Sequence, residues 1–153
     1  MPILGHKGEK GEREKGKAKA VAFGVEHSMN RVEAFEDLRV WQQGIALVKQ
    51  IYALTNTGSL KKDFGLRDQL QRASVSIPTN IAEGFERSST KEYIRFLAIA
   101  KGSSGEVRSL LRVAFEIGYL EESTYKHLQD HVIQISRMLA GQIKSLQQKT
   151  RYC

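Results

Sequence analysis

From residue 35 onward, apolar positions recur at the three- and four-residue spacing of α-helices, and no stretch requires a β-strand. In the first helical segment Leu38, Trp41, Ile45, Val48 and Tyr52 follow spacings of 3, 4, 3 and 4, a heptad-like seam. Val40, Leu47, Ile51 and Leu54 form a second apolar stripe beside it, which predicts contact with more than one neighbour. The polar run TNTGS (55–59) ends the segment. A second helix is predicted from about Lys62 to Glu83, with Leu66, Leu70, Ala73, Ile77 and Ile81 on one face. Pro78 inside it lacks an amide donor and crowds the Ser74 carbonyl, which predicts a kink. Gly84 reads as its C-terminal stop.

The third helix opens after Ser88-Ser89-Thr90, where Ser89 and Glu92 stand at capping-box spacing. Its apolar set is Tyr93, Phe96, Leu97, Ala100, Val107, Leu110, Leu111 and Ala114, and Gly118 closes it. Ala100, Gly102, Ser103, Ser104 and Gly105 at its middle predict a close helix approach, since a glycine in a helix interior otherwise costs about 1 kcal/mol. A fourth helix runs from near Ser123 to about Lys149, with Leu128, Val132, Ile135, Met138, Leu139, Ile143 and Leu146 as its seam. Four helices on short links predict an all-α, up-down-up-down four-helix bundle over residues 35–150. The preceding residues read differently. Residues 1–20 hold Gly5, Gly8, Gly11 and Gly16 among alternating charges and no large apolar residue after Leu4. Such a stretch cannot bury enough apolar surface to offset its ordering entropy, so residues 1–34 are expected to be a disordered leader.

Composition narrows the function classes. A single cysteine, Cys153, excludes a disulfide scaffold. No apolar run approaches the roughly 18 residues of a membrane span, and the first residues lack the apolar core of a signal peptide. A cytoplasmic protein without membrane contact is expected. Lys and Arg number 24 against 17 Asp and Glu, a net charge of +7, of which +5 falls within residues 35–153. That excess favours an anionic partner such as nucleic acid or an acidic protein.

The segments FEDLRVWQ (35–42), FGLRDQLQRASVSIPTNIAEGFERSSTKEYIRFLAIAKGS (64–103) and GYL (118–120) resemble the 23S rRNA-intervening-sequence proteins, a family of four-helix bundles. The likeness covers about residues 35–147. The loop TNTGSLKKD lacks the family's usual Phe-Pro pair, and KGSSGEV stands where RGSLxE is typical, which puts a second glycine where a leucine would pack. The resemblance implies a ring-shaped homopentamer of four-helix protomers. Some bacterial members are encoded within sequences that interrupt 23S rRNA genes. A related branch, the accessory variability proteins of diversity-generating retroelements, binds nucleic acid and a reverse transcriptase. Both a nucleic-acid partner, RNA or DNA, and a protein partner are therefore open.

Helical arithmetic locates a candidate site. At about 100° per residue, with Lys91 at zero, Arg95 falls near ~40°, Lys101 near ~280°, Arg108 near ~260° and Arg112 near ~300°. The apolar residues occupy roughly 100° to 240°, so five cations lie opposite the seam, with Glu116 the main acid among them. Such an array suits a phosphate backbone through counterion release, although charged helix faces are usually only solvated. Arg67, Arg72 and Arg87, on or just after the second helix, are expected to extend the patch. No helix-turn-helix or zinc-finger spacing is present, so base-specific reading is not expected.

Other constellations favour structural readings. His127 and His131 share one side of the fourth helix, but HLQDH is not HExxH and no Glu-x-x-His pair accompanies it, so no metal site is expected. Ser88 to Lys91 matches SxxK without the companion hydrolase motifs, and helix capping accounts for its hydroxyls. Asn80 and Glu83, one turn apart, are read as a buried polar pair or a subunit contact. Phe35 and Trp41 could stack on bases, with packing the stronger reading. With no catalytic constellation and no cofactor motif, a non-enzymatic oligomer is expected.

Overall fold

The structure is a computed structural model that describes residues 31–152. The expected leader lies outside the described residues except for 31–34, and Cys153 also lies outside them. After a 3-10 turn at Phe35–Asp37 come α1 (Arg39–Thr55), a one-turn α2 (Gly58–Lys62), α3 (Phe64–Phe85), α4 (Thr90–Glu116) and α5 (Glu122–Arg151). The four long helices form the expected all-α bundle, and the described residues contain no strand. Helix α3 packs against α1 and α4, α4 against α3 and α5, and α5 closes the ring on α1 through its sparsest contact. Neighbours in sequence are thus neighbours in space, joined by short links that alternate helix direction.

The buried sides of α3, α4 and α5 follow the periodicity. Leu70, Ile77 and Ile81 of α3, Leu97, Val107 and Leu111 of α4, and Val132, Ile135 and Leu139 of α5 are all fully buried. Each such side chain contributes roughly 1.5–3 kcal/mol of transfer free energy. Helix α1 differs from expectation. Its buried line is the second stripe, with Val40, Leu47 and Ile51 joined by Gly44 and Thr55. The heptad-like seam of Trp41, Ile45 and Val48 is half-buried, and Tyr52 on that line is exposed. One α-helix offers two adjacent apolar stripes equally well. The neighbours α3 and α5 select the one that faces both of them.

The helix ends show why these segments start and stop. Ser89 Oγ accepts from the Glu92 amide at 3.1 Å, as the capping box requires. Gly118, at φ +84°, ends α4. Its amide donates to the Phe115 carbonyl, and the Tyr119 amide to the Ala114 carbonyl, the Schellman pattern. Asp63 caps α3 by accepting from the Leu66 amide at 3.1 Å, while its other oxygen accepts from the Tyr119 hydroxyl at 3.1 Å. That carboxylate ties the start of α3 to the α4–α5 link, and it pushes the Tyr119 phenol pKa upward. The short α2 was not foreseen; it follows Thr57 and buries Leu60.

One glycine expectation is corrected. Gly84 does not stop α3, which runs on to Phe85. It is buried where α4 crosses, and a Cβ there would lie 2.6 Å from Phe96 Cβ. Gly102 and Gly105 do not mediate a helix approach within the protomer. Both are exposed, with nothing within 4 Å of a built Cβ. The close approach in that part of α4 belongs to Ala100, Ser103 and Ser104, all buried. Pro78 lies within the continuous helix α3, buried against α1, where its Cβ stands 3.3 Å from the position of a Gly44 Cβ.

Candidate nucleic-acid interface

The five cations named on α4 are all exposed, on the side away from the buried line of Leu97, Ala100, Val107 and Leu111. Helix α5 packs along one flank of α4 and α3 along the other. This divides the cations into separate settings. Lys101 and Arg108 stand on the α5 flank, where they line a groove of about 340 Å³ with Ile133, Ser136, Arg137 and Ala140 of α5. Arg112 continues the same line one turn further on, but it is ion-paired with Glu116. Its guanidinium lies 5.9 Å from the ring centres of both Phe115 and Tyr125. The Tyr125 hydroxyl first, and Glu116 second, push its pKa above the ordinary arginine value.

Arg95 belongs elsewhere. It lies 5.7 Å from the Phe96 ring centre, and Arg87 approaches the same ring at 5.0 Å. Arg87 also donates to Glu83 at 2.9 Å, so part of its charge is already compensated. Lys91 is exposed in the first turn of α4. Of the expected extension, Arg87 meets Arg95 at the Phe96 ring, whereas Arg67 and Arg72 do not line the groove of Lys101 and Arg108. Arg67 is folded onto its own corner, 3.3 Å from Asp68, 3.2 Å from the Lys61 carbonyl and 4.7 Å from the Phe64 ring centre. Arg72 lines a different groove, of about 470 Å³, with Tyr52, Asp68 and Val75.

Arg137 and Ser136 were not among the residues singled out from the sequence. Their spacing places them beside the α5 seam, but nothing in the pattern of α5 says which helix lies across from them. Among the described residues, no carboxylate stands within 4.0 Å of Lys101, Arg108 or Arg137; the four ion pairs present lie elsewhere. The groove therefore gathers three cations from two helices without internal neutralisation.

The remaining candidates take structural places. His131 turns toward α1, its Nδ1 2.9 Å from the Gln50 side-chain amide and its Nε2 2.9 Å from that of Gln43. Burial, and secondarily His127, pushes its pKa below 6.5, which favours the neutral ring. Both contacts are to glutamine Oε1 atoms, and a neutral ring, which has one N–H donor and one acceptor nitrogen, requires one of the two amides to turn. With both ring nitrogens engaged and His127 exposed, the pair does not converge on a common point. No group of three or more His, Cys, Asp or Glu among the described residues is arranged to hold a metal ion. Asn80 and Glu83 do not pair. Asn80 donates to the Ser76 carbonyl at 2.7 Å and hydroxyl at 2.9 Å, while exposed Glu83 binds Arg87. Ser76 in turn meets Ser103 of α4 at 2.8 Å. Phe35 and Trp41 pack on each other with ring centres 5.4 Å apart. No helix among the described residues is long and apolar enough to cross a membrane.

Comparison with known proteins bears on the fold and the family. No curated protein matches the chain. A solved structure from Bacteroides thetaiotaomicron VPI-5482, a protein of unknown function from the S23 ribosomal protein family, superposes with a TM-score of 0.64 at 23% identity. The match covers 69% of this chain and 98% of that one, and supports the helical architecture. The sequence profile described as 23S rRNA-intervening sequence protein matches residues 36–141, which takes in α1, α3, α4 and most of α5. The chain belongs to the 23S rRNA-intervening sequence protein family.

Proposed function

We propose that this protein is a non-enzymatic, cytoplasmic homo-oligomer that binds the nucleic-acid backbone through the cationic flank of α4, without reading sequence. One observation carries the reading. Lys101 and Arg108 are exposed opposite the core and have no carboxylate partner among the described residues. Cations held this way release counterions when they meet phosphates, and that release drives association. The family resemblance supports a ring of five subunits. Such a ring would repeat the same flank around its axis and raise avidity without new contacts. The sequence has no helix-turn-helix or zinc-finger spacing, which supports backbone binding over base recognition.

The test is the triple variant Lys101→Glu, Arg108→Glu, Arg112→Glu. All three side chains are exposed, so the fold should survive, at about 0.5 kcal/mol or less for Lys101 and Arg108 and up to about 1 kcal/mol for Arg112, which also exchanges its exposed pair with Glu116 for a like charge. Binding of the parent to generic RNA or DNA should fall steeply with salt and depend little on sequence, and the variant should not bind. Light scattering should give a multiple of 17.3 kDa. A folded variant that binds as tightly as the parent overturns the assignment. A parent that binds no nucleic acid at low salt shifts the reading to a protein scaffold, for example for a reverse transcriptase. A monomer at micromolar concentration removes the ring.

A further inference from the structure

The groove between α4 and α5 has features that an ordinary solvated flank lacks. Lys101 and Arg108 stand seven residues apart on one lip, about 10.5 Å along the helix. Arg137 comes from the antiparallel helix on the other lip, so cations of two helices line the same groove. Three like charges around about 340 Å³, with no carboxylate within 4.0 Å of them among the described residues, repel one another unless an anion sits between them. By register Asp130 is the nearest acid on this side of α5, one turn before Ile133, and it does not line the groove.

The rest of the lining is consistent with an oxyanion. Half-buried Ser136 brings a hydroxyl, which makes no hydrogen bond to another described residue, to the same space as the three cations. Ile133 and Ala140 supply the apolar part of the lining. One carboxylate would be satisfied by a single arginine fork. Two guanidinium groups, an ammonium and a hydroxyl offer donors from several directions, which suits the tetrahedral oxygens of a phosphate.

We infer that the α4–α5 groove is a discrete phosphate seat, gripped from both helices, with Arg137 as the α5 contribution. The inference rests on the nucleic-acid reading and sharpens it. Instead of a diffuse field, each subunit fixes one phosphate of the strand and so sets its position on the surface. The seat recognises the phosphate group itself, whether it belongs to a strand or is free in solution.

Arg137→Gln tests it. The side chain is exposed, so the bundle should remain folded, and Lys49→Gln removes an exposed cation of α1 outside the groove. Fluorescence anisotropy with a labelled 20-nucleotide single strand should show binding weakened about tenfold or more by Arg137→Gln. Lys49→Gln should change it less than threefold, and Arg137→Lys should recover part of the loss. The salt slope should fall by about 0.7, the increment for one fewer phosphate neutralised on a single strand. In the second arm, inorganic phosphate at constant ionic strength should raise the melting temperature of the parent but not of Arg137→Gln. If Arg137→Gln binds within twofold of the parent while the α4 triple variant does not bind, the seat is refuted and backbone binding stands. If neither variant weakens binding, both fall. If phosphate gives no stabilisation beyond that of chloride at equal ionic strength, the groove is not a discrete seat.

Discussion

Glycine to alanine at two positions of one bundle should change stability in opposite directions. In an exposed helix interior the exchange gains about 0.8–1.0 kcal/mol, because alanine gives up less backbone freedom on folding. Gly102 fits that description, with nothing within 4 Å of a built Cβ, so Gly102→Ala should stabilise the protomer by up to about 1 kcal/mol. Gly84 lies where α3 meets α4. A Cβ there would sit 2.6 Å from Phe96 Cβ, 3.0 Å from Tyr93 Cδ2 and 3.3 Å from the Tyr93 carbonyl oxygen. Carbon atoms prefer a separation of about 3.5–4.0 Å. The closest of these neighbours is rooted directly in the α4 backbone, so relief requires the helices to part by nearly 1 Å rather than a rotamer to turn. Overpacking of this kind costs about 1–3 kcal/mol, which outweighs a propensity gain already reduced by Gly84's place in the last turn. A gap of about 2 kcal/mol between the two variants is expected, with the parent between them. Urea unfolding followed by circular dichroism, at one protein concentration, should separate the midpoints by about 1 M. A Gly84→Ala protein as stable as the parent would refute the close crossing. A Gly102→Ala protein less stable than the parent would show that the outer side of α4 is covered.

Further outcomes follow from particular contacts. Ser103→Leu should destabilise the protomer by about 1–3 kcal/mol, since Ser103 is buried and in contact with Ser76. Gly102→Leu points outward, so it should keep most of the helix-propensity gain of Gly102→Ala and lower the light-scattering mass if subunits meet there; loss of the fold itself would contradict the geometry. His131 has a folded-state pKa below the 6.5 of the free ring, so the unfolded chain binds the proton more tightly. The stability it supports is full above about pH 6.5 and declines as pH falls from there toward the folded-state pKa. His131→Gln should lose that slope, and parallel pH–stability profiles for parent and variant between pH 7.5 and 5.5 would contradict the burial of the His131 ring.

Most of the architecture was legible in the sequence, because helix periodicity and caps are local. Apolar spacing located the four long helices and the buried faces of α3, α4 and α5, while Ser89 and Gly118 marked two helix ends whose hydrogen bonds involve only neighbouring residues. Five exposed cations on α4 were legible for the same reason, since one helix's angular pattern is a property of that helix. What one helix meets is not. The tertiary structure decided which of two apolar stripes of α1 is buried, because both are equally helical and only the positions of α3 and α5 distinguish them. It also decided the role of Gly84, since a glycine that ends a helix and one that admits a crossing helix share the same local chemistry. The sequence placed Lys101 and Arg108 on one face of α4. Their convergence with Arg137 on a groove, like that of His131 with Gln43 and Gln50, joins residues on different helices, and only packing sets that distance.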